Sequence, residues 1–135
     1  MTIPTPDYVL RVHRSGSIDA NRPRVAELLK EEGFGILTEI DVAATLREKL
    51  GVDVEPYLIL GACNPPLAYK ALQAEPEIGL LLPCNVIVYE TEQGHSVVSA
   101  VDPDSMLAVV GENAPIAEVA REAKQRLVKA LESLS

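Results

Sequence analysis

The alternation of apolar and polar residues predicts a chain of short strands and amphipathic helices. Residues 7–16 alternate with a period of two, which is typical of a strand whose two faces differ. The run at 57–63 is apolar throughout and follows a proline, which predicts an interior strand. Shorter apolar runs predict three more strands, at residues 34–41, 85–90 and 95–102.

Apolar residues spaced three and four positions apart predict helices between and after these strands. The helices cover residues 21–32, 42–50, 65–75, 103–110 and 115–134, and the last is the longest. The second helix is expected to bury an apolar stripe formed by Ala43, Leu46 and Leu50.

Capping residues set the expected helix boundaries. Pro23 is placed in the first turn of the first helix, where its missing N–H costs nothing. Asp41 and Asn64 are placed as N-caps of the second and third helices, and Pro65 suits the first helical position. Pro76 is expected to end the third helix.

The last two strands are separated by the four residues TEQG, which predicts a hairpin and therefore antiparallel pairing. Helices do not alternate strictly with strands, so the pattern favours an α+β fold over a doubly wound parallel sheet. We expect one domain over residues 1–135, with a mainly antiparallel sheet, helices on one face and a long C-terminal helix. The other face is expected to be solvated or covered by a partner.

The net charge and the lengths of the apolar runs argue against two classes of function, nucleic-acid binding and membrane insertion. The chain of 135 residues has a formal net charge of −8, which repels a phosphate backbone, so no nucleic-acid partner is expected. No apolar run approaches the roughly 18 residues of a membrane span, and no signal-peptide pattern precedes the first strand. We therefore expect a cytoplasmic protein without a membrane partner, in which thiols stay reduced.

The two cysteines of the chain occur in similar phrases, GACNPP at 61–66 and LLPCNV at 81–86. Cys63 is predicted at a strand end, one residue before the Asn64 cap. A helix N-terminus stabilises a thiolate and attracts small anions, so this position favours a reactive thiol or an anion site. The alternative is a small buried apolar side chain, which free cysteine commonly provides.

Cys84 follows Pro83, and Asn85 opens the next predicted strand. If the two cysteine-bearing strands are neighbours, the thiols can approach each other and cycle as a dithiol or share a metal. Two separate core cysteines are the alternative. The histidines, His13 and His95, do not show zinc-ligand spacing with them, so no metal or cofactor is expected.

Glu39 and Asp41 are two residues apart and are predicted to share one face of a strand. Close carboxylates can separate their pKa values and serve as acid and base. The alternative is that Asp41 caps the helix and Glu39 lies on the solvated side.

The phrases at residues 31–51, 56–72 and 78–90, followed by SAVDP, resemble the bacterial and archaeal domain-of-unknown-function family 302. The resemblance implies a fold related to the TATA-binding-protein-like, helix-grip class, with a curved antiparallel sheet, and it implies a homodimer. It implies no established activity and no catalytic residues. The positions that match the family signature are Glu39, Asp41, Gly61, Cys63, Asn64, Pro65, Pro83, Cys84 and Asn85.

These observations favour a dimeric module that binds a small anionic or thiol-reactive ligand near Cys63 and Asn64. The expected ligand-binding residues are Cys63, Asn64, Cys84, Asn85, Glu39 and Asp41. Two alternatives stay open: a structural dimer whose surface contacts other proteins, and a thiol enzyme or redox protein that uses Cys63 and Cys84. The chain contains no GxSxG, P-loop, GxGxxG or HExxH motif that would identify a reaction.

Overall fold

A computed structural model of the chain describes residues 5–91 and 94–135. The strands are β1 Val9–Ser15, β2 Gly35–Asp41, β3 Tyr57–Cys63, β4 Cys84–Glu90 and β5 His95–Val101. The α-helices are α1 Ile18–Glu31, α2 Val42–Leu50, α3 Pro65–Ala74, α4 Asp104–Val110 and α5 Ala114–Glu132. A 3-10 helix, Pro76–Leu81, connects α3 to β4.

The five strands form one open sheet in the order β1-β5-β4-β3-β2, and every neighbouring pair is antiparallel. The predicted single-domain α+β class and the long C-terminal helix are therefore confirmed. β3 is an interior strand, as its continuous apolar run predicted. The β4–β5 pairing confirms the hairpin, while Glu92 and Gln93 of its predicted TEQG turn lie outside the described residues.

The hydrophobic core lies between one face of the sheet and the helices. Leu60, Val86 and Val98 come from neighbouring strands, share that face through the register, and are fully buried. Ile116 and Leu127 of α5 are also fully buried in this core, which α1 and α3 complete. The alternate residues of the strands point to the opposite face, which we call the open face.

A β-bulge in β2 determines which way its carboxylates point. Ile36 pairs with Ala62, but Thr38 pairs with Gly61, so one extra residue of β2 is inserted between them. After the bulge, Glu39 is opposite the core residue Leu60. Glu39 and Asp41 therefore both lie on the helix-covered face, which confirms that they share a face.

The predicted start of the first helix is wrong. α1 begins at Ile18, three residues before Asn21, because the Ser17 hydroxyl accepts a hydrogen bond from Ala20 N at 3.2 Å and caps the helix there. Pro23 consequently lies inside α1 rather than in its first turn. A serine at the end of a strand is a weaker sequence signal than a proline, but it supplies the acceptor that the helix end requires.

The predicted burial of an α2 stripe is also wrong, since α2 contains no buried residue and Leu50 is 69% exposed. α2 follows the edge strand β2 without a connecting loop, because Asp41 is both the last residue of β2 and the cap of α2. The helix therefore stays at the margin of the helix layer. α3 ends at Ala74, and Pro76 then begins the 3-10 helix, so the helical conformation resumes at this residue.

Gly61 is expected to tolerate no side chain, because a Cβ there would clash with Thr38 Oγ1 and would approach Pro83 Cγ to 2.9 Å. Gly61→Ala should lower the free energy of unfolding by about 1–3 kcal/mol, measured by urea denaturation at one protein concentration. Gly79→Ala is the matched control, since nothing lies within 4 Å of a Cβ at Gly79. Equal urea midpoints for the two variants would show that the bulge does not constrain Gly61.

Candidate functional site

The two cysteines lie at the same end of the sheet, as expected if their strands are neighbours. β3 and β4 are adjacent, and Cys84 pairs in register with Ala62, the residue before Cys63. Both cysteines are half-buried free thiols. They line one small cavity together with Asn64.

This cavity is small and mostly apolar. Its volume is about 30 Å³, and its remaining walls include Phe34, Leu67, Leu82 and Met106. One water molecule needs a cavity of at least roughly 10–15 Å³ on the same measure. The space beside the thiols therefore accommodates a water-sized species, and a larger molecule needs the surrounding side chains to move.

Asn64 is held by the ends of two helices. It is buried, its Oδ1 accepts from Leu67 N at 3.4 Å, and its Nδ2 donates to the Glu32 carbonyl at 3.4 Å. The predicted N-cap is confirmed. Gly33 passes so close that a Cβ there would lie 2.9 Å from Asn64 Nδ2. Asn64 thus fixes the start of α3 against the end of α1, and Cys63 is positioned by the same junction.

Burial raises the pKa of the Cys84 thiol to about 11, and the nearby Cys63 adds to this shift. A thiol with so high a pKa is protonated at neutral pH, whereas thiol–disulfide exchange and nucleophilic attack need the thiolate. The environment of Cys84 is therefore that of a core thiol, although the two cysteines are close enough to affect each other.

Glu39 and Asp41 lie away from the thiols and are engaged with other groups. Glu39 accepts two hydrogen bonds from the Arg22 guanidinium, at 2.7 and 2.9 Å. The bond from Arg22 is the main reason that the pKa of Glu39 is lowered, so this carboxylate stays ionised. Asp41 Oδ1 accepts from Ala44 N at 2.9 Å and caps α2, as predicted. Glu39 faces Arg22 of α1 and is exposed to solvent.

Asn85 occupies a third location. It is exposed on β4 and pairs in register with Gly61, which places it on the open face. The six expected ligand-binding residues therefore divide among three places: the thiol cavity, a groove on the helix side that Glu39 and Asp41 line, and the open face. Sequence proximity suggested one site, but strand alternation and the β2 bulge separate them.

The open face is more apolar than a solvated sheet face. The sequence analysis did not identify the residues that form this apolar surface. A row across its middle contains Arg11, Ser99, Ile87, Ile59 and Ile40, in register from one edge strand to the other. Other positions of the open face include Val9, His13, Ser15, Thr38, Tyr57, Gly61, Asn85, Tyr89, His95, Val97 and Val101. The signal was visible in the phrase NVIVYE, where apolar residues occupy both alternating positions of one strand.

Two polar atoms on the open face are buried without a hydrogen-bond partner in the described part of the chain. They are Arg11 Nε and Ser99 Oγ, which belong to directly paired residues of β1 and β5. Beside them, the rings of Tyr57 and Tyr89 are stacked with centroids 5.3 Å apart. Burial raises the pKa of Tyr57, with the neighbouring Tyr89 adding to the shift.

Residues 5–91 and 94–135 contain no group of three or more His, Cys, Asp or Glu side chains arranged to hold a metal ion. None of the helices in these residues has the length and apolar content needed to cross a membrane.

Comparison with known proteins agrees with the resemblance seen in the sequence. The family model described as domain of unknown function DUF302 matches residues 10–134. The crystal structure titled as an uncharacterized conserved protein DUF302 from Bacillus stearothermophilus is similar to this chain, with a TM-score of 0.86 and 30% sequence identity. The similarity covers 96% of this chain and 100% of that one. No curated protein matches the chain.

The raised pKa of Cys84 predicts slow alkylation that depends on high pH. In a Cys63→Ser variant, burial, the larger cause of the raised pKa, is retained, so the rate of Cys84 modification by iodoacetamide should keep increasing above the pH at which an unfolded thiol levels off, because only the thiolate reacts. Mass spectrometry after short exposures measures this rate, and the urea-unfolded variant serves as the control, with a thiol pKa of about 8.5. A native rate that levels off at the same pH as the unfolded control would contradict the prediction.

Proposed function

Since the chain belongs to the DUF302 family, whose description assigns no function, we propose from its geometry that it is a dimeric module that binds a small ligand. The observation that carries the proposal is the apolar character of both sheet faces. An antiparallel sheet with one solvated face alternates apolar and polar residues. On the open face, Ile59 and Ile87 instead continue an apolar surface that the helices of the same chain leave uncovered.

The distribution of charge supports a second copy as the group that covers this face. The chain contains 20 Asp and Glu residues and has a formal net charge of −8, so two copies repel each other on average. No carboxylate lies at an open-face position of the five strands, within the part of the chain that the structure describes. The face therefore combines apolar contact area with the absence of like-charge repulsion.

The polar atoms of Arg11 and Ser99 support the same arrangement. A buried polar group without a hydrogen bond costs about 1–3 kcal/mol, and a partner that completes the bond removes this cost. Ser99 is only 4% exposed, and its hydroxyl has no partner among the described residues. A second copy facing the sheet brings backbone and side-chain acceptors to this position.

We place the small ligand near Cys63 and Asn64. Cys63 is half-buried rather than fully enclosed, and it precedes the first turn of α3, where the positive end of the helix dipole favours an anion. This attraction comes from the dipole alone, because Pro65 and Pro66 have no N–H and the N–H of Leu67 is bonded to Asn64. The cavity of about 30 Å³ restricts an enclosed ligand to water size. A small anionic or thiol-reactive compound therefore fits this site better than a large substrate. The raised pKa of Cys84 weighs against a dithiol mechanism.

The dimer predicts a change of mass when charge is placed on the open face. Analytical ultracentrifugation of the unmodified protein should give twice the mass of the chain. Ile87→Asp should sediment as one chain, because a buried carboxylate without a partner is strongly unfavourable. Leu80→Asp is the matched control, since Leu80 is 83% exposed on the 3-10 helix, and it should remain dimeric. Circular dichroism verifies that each variant is folded. A single-chain mass for the unmodified protein would reject the dimer.

The anion preference at Cys63 predicts the relative rates of two alkylating reagents. In a Cys84→Ser variant, the ratio of the iodoacetate rate to the iodoacetamide rate should be higher in the folded protein than in urea. The reason is that the α3 N-terminus attracts the carboxylate of iodoacetate. Because the net charge of −8 acts in the opposite direction, a lower ratio in the folded protein would show that no local anion site exists.

A further inference from the structure

A groove on the helix side of the sheet is large enough for a small molecule. It runs between α1 and α2 above the ends of β2, β3 and β4, and its volume is about 720 Å³. Small-molecule sites commonly occupy roughly 300–1,000 Å³. α2 has no buried residue, and Ala43 and Ala44 face the groove with short side chains, so the two helices leave this space open.

One wall of the groove is apolar. Leu58 contributes from the start of β3, and Val54 from the preceding loop. Ile18 contributes from the first turn of α1. Tyr57 borders the groove, but its register position places it on the open face, where its ring is stacked on Tyr89. This wall provides contact area for a hydrocarbon body.

The charged groups of the groove are predominantly carboxylates. Two guanidinium groups line it, and both are already paired: Arg22 with Glu39, and Arg47 with Asp53 at 2.6 and 2.9 Å. Four more carboxylates line the same groove, those of Asp19, Asp41, Glu48 and Glu90. The groove therefore retains an excess of four negative charges after both arginines are counted.

The inner carboxylates are held in position without being neutralised. Glu90 Oε1 accepts from Ile18 N at 2.9 Å, and Asp41 Oδ1 accepts from Ala44 N at 2.9 Å. Both donors are uncharged backbone N–H groups, so they orient the carboxylates without neutralising their negative charge. Asp41 and Glu90 are supplied by β2 and β4, the strands on either side of β3. A cation that enters the groove meets fixed acceptors, whereas an anion meets four uncompensated charges.

We infer that this groove binds a small organic cation, namely a protonated amine attached to an apolar body. The apolar wall holds the body, and the carboxylates of Asp41 and Glu90 attract the ammonium group. This site is separate from the thiol cavity and prefers the opposite charge. It also differs from the proposed dimer surface, because its carboxylates lie on the helix side, and Tyr57 is the residue that borders both surfaces.

The test is a titration of the full chain with hexylamine, followed by ¹H–¹⁵N NMR, with hexanoate at equal ionic strength as the matched anion. Hexylamine should shift the amide signals of Ile18, Ala43 and Ala44 in a saturable way, and hexanoate should not. In a variant with both Glu48→Gln and Glu90→Gln, the dissociation constant should rise about fivefold or more, as expected for the loss of two nearby charges. Gln at 90 retains an acceptor for Ile18 N, so α1 stays capped.

Glu132→Gln, at the end of α5 and outside the groove, is the charge control and should leave the dissociation constant unchanged. Equal binding of hexanoate, equal affinity in the doubly substituted variant, or no saturable shift at the three amides would overturn the inference. Ile87→Asp separates this site from the dimer, because it should abolish the dimer and keep hexylamine binding. Loss of binding in that variant, if it remains folded, would overturn the independence of the two.

Discussion

The antiparallel pairing of β3 with β2 on one side and β4 on the other positions every candidate site in the molecule. Leu60 and Ala62 anchor β3 in the core, and they are fully buried beneath the helices. The strand ends at Cys63 beside the thiol cavity, begins at Tyr57 beside the groove, and turns Ile59 toward the open face. Three different environments therefore depend on one interior strand.

The β2 bulge determines which side chains of β2 lie on each face of the sheet. If all residues of β2 alternated regularly after Ile36, Glu39 and Asp41 would point toward the open face. Because of the bulge, Glu39 instead pairs with Arg22 of α1, and Asp41 starts α2 at the margin of the helix layer. The open face consequently lacks carboxylates over the described strands, while the groove collects them. One local irregularity separates an apolar surface suited to a second copy from an acidic surface suited to a cation.

Residue type and spacing alone predicted the strands, the interior position of β3, the antiparallel pairing at the end of the chain and the fold class. Asp41 and Asn64 were identifiable as caps because side-chain acceptors at helix starts act within three residues. The start of α1 was not, because Ser17 and Pro23 are competing local signals. The exposure of α2 also escaped prediction, since an amphipathic stripe does not reveal whether another element is available to cover it.

Residue types and their order along the chain were enough to predict a one-domain α+β protein with an excess of acidic residues and two cysteines in similar phrases. Those properties follow from composition, from the spacing of hydrophobic residues and from helix capping, none of which depends on which strands become neighbours. The packed fold divides the six candidate residues among a thiol cavity, a groove and an open face. It also half-buries the Cys84 thiol and raises its pKa. Burial, register and a bulge depend on which strands become neighbours, and no local pattern carries that information.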